Sequence, residues 1–190
     1  MAKVKPKPID FTQKILDAPI EPILQHFKIT TWDVLIVGDG SGSKNNSPSG
    51  WAAVLIDRET RGRRVFGGHA NAGSIAFAEA MPYIQAINWY DRAFGETRLR
   101  NRPFCDIHVV TDSSTTANIG ARANETSDFS SLVGGTRAVS FLSAYCRALL
   151  NFRYRLHWHW QRRESSELNV ICDLLSKQHR ITGSGVNISE

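Results

Sequence analysis

Runs of apolar residues with two different periods divide the chain into strands and helices. Continuous or alternating apolar runs predict β-strands over residues 34–37, 50–56, 63–68, 107–111 and 154–160. Apolar residues at helical spacing predict helices over residues 75–94, 137–151 and 167–180, with a short helix inside 113–136. The first three strands follow one another directly, whereas helices separate the later ones. This order predicts an α/β fold with a five-stranded mixed sheet flanked by helices.

The two ends of the chain differ from the middle. Residues 1–30 begin with alternating lysines and prolines and continue with apolar residues at helical spacing, which Pro22 divides into two short helices. We expect an N-terminal helical extension over 1–30, one domain over 31–182 and a flexible tail over 183–190. The extension is expected to pack on the domain. A separate nucleic-acid-binding arm is the alternative, and the sequence indicates no particular protein partner for it.

Composition narrows the classes of protein that this chain can represent. Its 190 residues are 42% apolar and carry a net charge of +5, which suits one globular core and a phosphate-bearing partner. No apolar stretch is long enough to span a membrane, so no membrane partner is expected. No organic cofactor is expected either. Cys105, Cys146 and Cys172 lack metal-ligand spacing and predict free thiols in the cytoplasm.

Four acidic residues lie in apolar segments, where a carboxylate is costly to bury. Asp39 follows the first predicted strand, Asp112 follows the fourth, Glu79 lies near the start of a helix and Asp173 lies in the last helix. A buried carboxylate needs a partner that offsets its desolvation. One divalent cation can serve several carboxylates at once, and ligand sets made only of oxygen favour Mg²⁺ or Mn²⁺.

The predicted topology brings these acids together. Strands 34–37 and 107–111 become parallel neighbours if a right-handed crossover through the 75–94 helix joins them, which places Asp39 and Asp112 side by side. The carboxyl edge of an α/β sheet is where such folds place their sites. The crossover helix carries Glu79, and the last helix has to fold back onto the sheet to bring Asp173 to the same edge. Four such carboxylates can hold two metal ions about 3.5–4 Å apart, which supports in-line attack on a phosphodiester.

Each acid taken alone also has a purely structural interpretation. Asp39 with the glycine after it is typical of a turn, and Glu79 near a helix start interacts favourably with the helix dipole. Asp112, directly after a strand, is typical of a helix N-cap. Asp173 can pair with Lys177 one helical turn further along. These alternatives stay open for each residue taken singly.

The sequence around the four acids resembles the motifs of the type 1 ribonuclease H family, over residues 32–180. The chain carries Asp39-Gly-Ser-Gly and then a glycine-aromatic strand that begins at Gly50, as members of the family do. It also carries Ala-Glu79-Ala on a helix, Thr-Asp112-Ser after a strand, and an asparagine four residues before Asp173. The resemblance implies a ribonuclease H-like fold with an appended N-terminal helical extension.

The resemblance also implies an activity. Members of the family are endonucleases that hydrolyse the RNA strand of RNA–DNA hybrids, and the 2′-hydroxyl is what distinguishes that strand from DNA. Asp39, Glu79, Asp112 and Asp173 become the catalytic residues and metal ligands, for two Mg²⁺ or Mn²⁺ ions per site. The residues expected to contact the hybrid are Gly40, Ser41, Asn45, Ser113, Arg162, Arg163 and Asn169.

Several positions depart from the family pattern. Many members carry a histidine between the last strand and the last helix, whereas residues 161–168 contain none. Glu164 lies nearest to that position, where it is either an auxiliary acid/base or metal ligand, or an exposed loop residue. Ile75 and Ala76 replace the family's polar pair before the helix glutamate. Residues 113–136 lack the lysine-rich protrusion of many bacterial members.

These departures leave two alternatives to a hybrid-cleaving ribonuclease. The first is a non-catalytic nucleic-acid-binding or assembly protein that retains the fold, which the missing histidine and polar pair favour. The second is another nuclease on the same fold, such as a junction resolvase. Retention of all four acids opposes the non-catalytic alternative, because without metal the carboxylates repel one another.

Overall fold

The computed structural model describes residues 9–42, 47–100, 102–125 and 154–187. The helix predicted over 137–151, together with Asn45 and Cys146, lies outside the described residues. The strands are β1 (Val34–Ser41), β2 (Ser47–Asp57), β3 (Arg63–Gly73), β4 (Cys105–Thr111), β5 (Tyr154–Trp160) and β6 (Val186–Asn187). The helices are α1 (Thr12–Asp17), α2 (Glu21–His26), α3 (Ile75–Arg100), α4 (Ser114–Glu125) and α5 (Glu167–Thr182).

The strands form one mixed sheet in the order β5-β4-β1-β2-β3-β6. Strands β1, β2 and β3 form an antiparallel meander, and β4 and β5 add to β1 in parallel. The predicted parallel pairing of β1 with β4 is therefore confirmed, with Val34 opposite Ile107 and Val37 opposite Val110. Five long strands and their flanking helices confirm the predicted α/β class.

Three elements differ from the sequence prediction. Strand β1 continues through the predicted turn to Ser41, which pairs with Gly50, so Asp39 lies inside a strand rather than in a turn. Helix α3 runs to Arg100, beyond the predicted end at residue 94, because Leu99 is buried in the core. Within the tail predicted from residue 183, Val186 and Asn187 form β6, which pairs in parallel with β3.

Both faces of the sheet are covered. On one face, α3 packs its apolar side on β1 and β2 around Trp51, which is fully buried and donates its indole N–H to Gln85 Oε1 at 3.0 Å. On the other face, α5 lies across β1 and β2, beside the two N-terminal helices. Cys105 and Cys172 are buried free thiols. Within the described parts of the chain, no helix has the length and apolar character needed to cross a membrane.

The N-terminal helices belong to the second core layer. Phe11, Ile15 and Ile23 are buried there with sheet residues such as Leu35. Arg63 in β3 donates to the carbonyl oxygen of Ala18 at 2.7 Å, which ties the segment to the sheet. The segment therefore packs beside α5, on the same face of the sheet.

Candidate metal centre

Asp39 lies at the centre of the site, two residues before the end of β1. Its side chain is fully buried, because β2 lies beside it and α5 covers the same edge of the sheet. The hydroxyl of Ser176, from α5, donates to Asp39 Oδ2 at 2.7 Å. The other carboxylate oxygen, Oδ1, is buried and has no hydrogen-bond partner among the described residues. One oxygen of this carboxylate is thus fixed by the protein and the other is open.

A close approach of α3 to β1 places Glu79 next to Asp39. Gly40 makes this possible, because a Cβ atom there would lie 2.5 Å from the backbone C of Ala78 and the backbone N of Glu79. One turn further along α3, the Tyr83 hydroxyl donates to the carbonyl oxygen of Gly38 at 2.7 Å. These contacts fix the first turns of α3 against the strand that carries Asp39.

Asp112 follows β4, which lies beside β1. Its Oδ2 accepts a hydrogen bond from Arg163 Nε at 3.0 Å, and its backbone carbonyl oxygen accepts one from the indole N–H of Trp160 at 2.9 Å. The side chain of the next residue, Ser113, caps α4 by accepting a bond from the Thr116 backbone N–H at 3.3 Å. Asp112 is therefore not the capping side chain and is free to face the site.

The three acids form one group that fits a divalent cation. One carboxylate oxygen from each of Asp39, Glu79 and Asp112 lies within 4.8 Å of the others. Each acid also has a buried oxygen without a hydrogen-bond partner among the described residues, namely Asp39 Oδ1, Glu79 Oε2 and Asp112 Oδ1. Unpartnered buried carboxylate oxygens are costly, and a bound hard cation such as Mg²⁺ would satisfy all three.

Asp173 lies outside this group of three. Its Oδ2 accepts a hydrogen bond from Lys177 Nζ at 2.6 Å, which is the helical pairing that the sequence left open. The Ser176 hydroxyl connects the two parts, because it donates to Asp39 and also lies 2.9 Å from the Asp173 carbonyl oxygen. Asp173 therefore borders the group, with its own charge balanced by a lysine.

Burial and mutual repulsion make two of the acids hard to ionise. Burial, together with the negative charges of Asp112 and Asp173, raises the pKa of Asp39 from 3.8 to about 7, against the hydrogen bond from Ser176. Burial, followed by repulsion from Asp39 and Asp112, raises the pKa of Glu79 from 4.5 to about 9. Because metal binding requires the deprotonated forms, it is expected to release protons and to strengthen with pH.

The raised pKa values predict how the stability of the metal-free protein depends on pH. Asp39 and Glu79 have higher pKa values in the folded state than in the unfolded state, so between these values the folded state binds more protons. The free energy of unfolding therefore falls as pH rises through this range. Between about pH 7 and pH 9, where these raised pKa values lie, the two acids are expected to contribute to the loss. We expect the thermal midpoint in EDTA to fall over this range, and to fall less in the double variant Asp39→Asn, Glu79→Gln. Equal slopes for both proteins would contradict the assignment.

The residues expected to contact nucleic acid lie in different environments. Gly40 and Ser41 are buried within β1, and Ser113 serves as the cap of α4. Arg162 is exposed, and the neighbouring Arg163 lies on Asp112. Asn45 lies outside the described residues.

Asn169 and Glu164 are joined to each other. Asn169 is fully buried, and its Oδ1 accepts a hydrogen bond from the Glu164 backbone N–H at 2.8 Å. Asn169 therefore shapes the loop before α5. Glu164 has an exposed side chain, a positive φ of 63° and no place in the group of three acids. This arrangement favours the loop interpretation of Glu164 over an additional metal ligand.

Sequence reasoning missed two residues that shape the site. Ser176 lies three residues after Asp173 and seven after Asn169, on the same helical face, and is fully buried. The available signal was the helical spacing of three polar residues, Asn169, Asp173 and Ser176, along the buried face of α5. Tyr83 lies four residues after Glu79 in α3, and its hydroxyl is the polar group that anchors the helix to β1 and β4.

Comparisons with known proteins support the fold. No protein-family model and no curated protein matches the chain. Among solved structures, the N-terminal RNase H domain of rv2228c from Mycobacterium tuberculosis is 17% identical, with 77% of this chain and 92% of that one covered and a TM-score of 0.55. RNase H1 from the archaeon Halobacterium salinarum is 19% identical, with 76% and 95% covered and a TM-score of 0.53.

A third similar structure contains nucleic acid. LC11-RNase H1, isolated from compost, was solved in complex with an RNA/DNA hybrid. It is 18% identical, with 76% of this chain and 94% of that one covered and a TM-score of 0.56. At such identities the similarity shows the fold, so this chain has the ribonuclease H-like fold that its motifs predicted.

Proposed function

We propose that this chain is a metal-dependent endonuclease that hydrolyses the RNA strand of RNA–DNA hybrids. One observation carries the proposal. Three acids converge on one point of a ribonuclease H-like sheet, and each has a buried oxygen without a hydrogen-bond partner among the described residues. A cluster that served only stability would leave fewer such oxygens, because unpartnered buried charge destabilises a fold.

In this proposal Asp39, Glu79 and Asp112 hold Mg²⁺ or Mn²⁺, and two ions bind per site. The second ion requires Asp173 to leave Lys177 and join the other acids as a catalytic ligand. Bound metal would supply positive charge for the phosphate and an activated water as nucleophile. Ser176 would hold the central carboxylate in position.

The substrate is proposed from the fold and from the surface beside the site. LC11-RNase H1, which has this fold, binds an RNA/DNA hybrid. In this chain Arg162 is exposed, and Trp160, which is 52% exposed, lies against the backbone of Asp112. An arginine and an exposed indole suit a phosphate backbone and a sugar or base surface. We assign both to hybrid contact, and we assign Gly40, Ser41, Asn45 and Ser113 the hybrid contacts that the motifs imply.

A non-catalytic nucleic-acid-binding protein is the second candidate. One observation favours it: the charges of Asp112 and Asp173 are balanced by Arg163 and Lys177, so part of the acidic site is compensated by the protein itself. Such a protein would bind hybrid without cutting it. The buried free thiols Cys105 and Cys172 suit a cytoplasmic location for either function.

A cleavage assay with matched substrates separates these functions. The protein is incubated with a labelled RNA–DNA hybrid, an RNA duplex and a DNA duplex of one sequence, with Mg²⁺, with Mn²⁺ or with EDTA. We expect cutting of the RNA strand of the hybrid alone, in either metal and not in EDTA. Hybrid binding without cutting in either metal would favour the non-catalytic protein. Cutting of the DNA duplex would favour another nuclease of this fold.

A further inference from the structure

Arg163 is the cation that contacts the acidic group. Its Nε lies 3.0 Å from Asp112 Oδ2, and the two side chains are 56% and 5% exposed. Within the described parts of the chain, it forms the only ion pair to any of Asp39, Glu79 and Asp112. The guanidinium therefore lies at the solvent side of the group, on a carboxylate that also belongs to the candidate metal centre.

The loop that carries Arg163 is fastened to the sheet before the arginine. The backbone N–H of Gln161 donates to the carbonyl oxygen of Thr111 at 2.9 Å, which extends the β4–β5 pairing by one bond. The indole N–H of Trp160 donates to the carbonyl oxygen of Asp112 at 2.9 Å. The strand end is thus fixed to the residue that the arginine contacts.

The loop is also fastened after Arg163. Glu164 has a left-handed backbone conformation that is unfavourable for a side chain larger than glycine. The buried Asn169 accepts a hydrogen bond from the Glu164 backbone N–H at 2.8 Å and so stabilises that turn. Because both ends are held, the position of Arg163 over Asp112 is built into the loop.

The guanidinium and a bound divalent cation would compete for the same carboxylate. Asp112 Oδ2 is engaged by Arg163, whereas Asp112 Oδ1 is buried and open. A dication at the open oxygens neutralises the charge that attracts the arginine, and it repels the guanidinium at short range. The charge-assisted bond between Arg163 and Asp112 is therefore expected to weaken as metal binds.

We propose that Arg163 is a built-in counter-cation that stabilises the metal-free acidic group and is displaced when metal binds. Arg163 is then a positioning residue that sets the affinity of the site for metal. This inference rests on the proposed metal centre. It adds that metal affinity is held below what the acids alone would give, because the dication and the guanidinium repel each other at the same carboxylate.

Metal titration without nucleic acid tests this inference. Binding of Mn²⁺ is measured by calorimetry for the full chain, for Arg163→Gln and for Arg162→Gln. The adjacent, exposed Arg162 is the matched control, because its loss changes the net charge equally. We expect Arg163→Gln to bind Mn²⁺ about 3- to 10-fold more tightly than Arg162→Gln, as for loss of a partly exposed ion pair to a buried acid. Arg163→Lys, which keeps the charge, should lie between the wild type and Arg163→Gln.

Thermal unfolding gives a second readout. In EDTA, Arg163→Gln should melt below Arg162→Gln, because its acids lose their counter-ion. At saturating Mn²⁺ the difference should vanish or reverse. Equal Mn²⁺ affinity in the two glutamine variants would overturn the counter-cation role and leave the proposed function standing. Absence of Mn²⁺ binding in all variants would overturn the metal centre and the inference with it.

Discussion

Replacing Asp39 with asparagine is expected to abolish hybrid cleavage and to make the metal-free protein more stable. Asp39 is fully buried, and its carboxylate lies among two other acids. Asparagine keeps the shape of the side chain and an oxygen for the Ser176 hydroxyl, but it removes the charge that binds metal. We expect a rate loss of at least about 1,000-fold, which is about 4 kcal/mol of transition-state stabilisation.

The gain in stability separates a functional acid from a structural one. Removing a buried charge that repels its neighbours should raise the thermal midpoint in EDTA, and it should also remove the stabilisation that Mg²⁺ gives the wild type. Asp17→Asn, on the exposed side of α1, is the matched control and should change neither quantity. A fall in the thermal midpoint of Asp39→Asn would indicate that Asp39 has a structural role instead.

Replacing Gly40 with alanine is expected to disable the site without touching an acid. The added Cβ would lie 2.5 Å from the backbone of Ala78 and Glu79, so α3 has to move away from β1. Glu79 moves with the helix, and displacements of about 1 Å at a reacting centre can lower a rate about 100-fold. We expect a rate loss of about that size, with weaker metal binding and a lower thermal midpoint.

Gly42→Ala is the control for this substitution. A Cβ at Gly42 would lie 3.1 Å from the Ile75 side chain and 3.8 Å from its backbone Cα, so a side-chain adjustment accommodates it. Cleavage by Gly42→Ala should stay close to that of the wild type. If Gly40→Ala also kept full activity, the close approach of α3 to β1 would not be what positions Glu79.

Much of the fold follows from local sequence patterns. Apolar runs at strand period located β1 and β4, and the handedness of the crossover placed them side by side, which brought Asp39 and Asp112 together. The end of α3 could not be predicted this way. Residues 91–100 look polar, but Leu99 and Gly95 are buried, and the Arg98 side chain binds Asp57 at 3.0 Å across the fold. Contacts between residues distant in sequence produce no periodic pattern in the local sequence, so a local pattern does not predict them.

The details of the site were harder to predict than its acids. The spacing of Asp173 and Lys177 fits both a metal ligand and a helical ion pair, and only the three-dimensional structure shows the pair at 2.6 Å. The contact of Arg163 with Asp112 spans 51 positions and depends on the shape of a loop. Asn169 resembled a substrate contact in sequence, and the structure shows it buried in α5, where its bond to the Glu164 backbone supports that loop.

The chemistry of the product ends tests the central claim most directly. The wild-type protein is incubated with a hybrid whose RNA strand is labelled, in Mg²⁺, and the ends of the cut RNA are identified. If the acids hold metal for attack by water, the products carry a 3′-hydroxyl and a 5′-phosphate, and Asp39→Asn forms neither. Products ending in a 2′,3′-cyclic phosphate, or an intact RNA strand in the presence of Mg²⁺ and of Mn²⁺, would contradict the account.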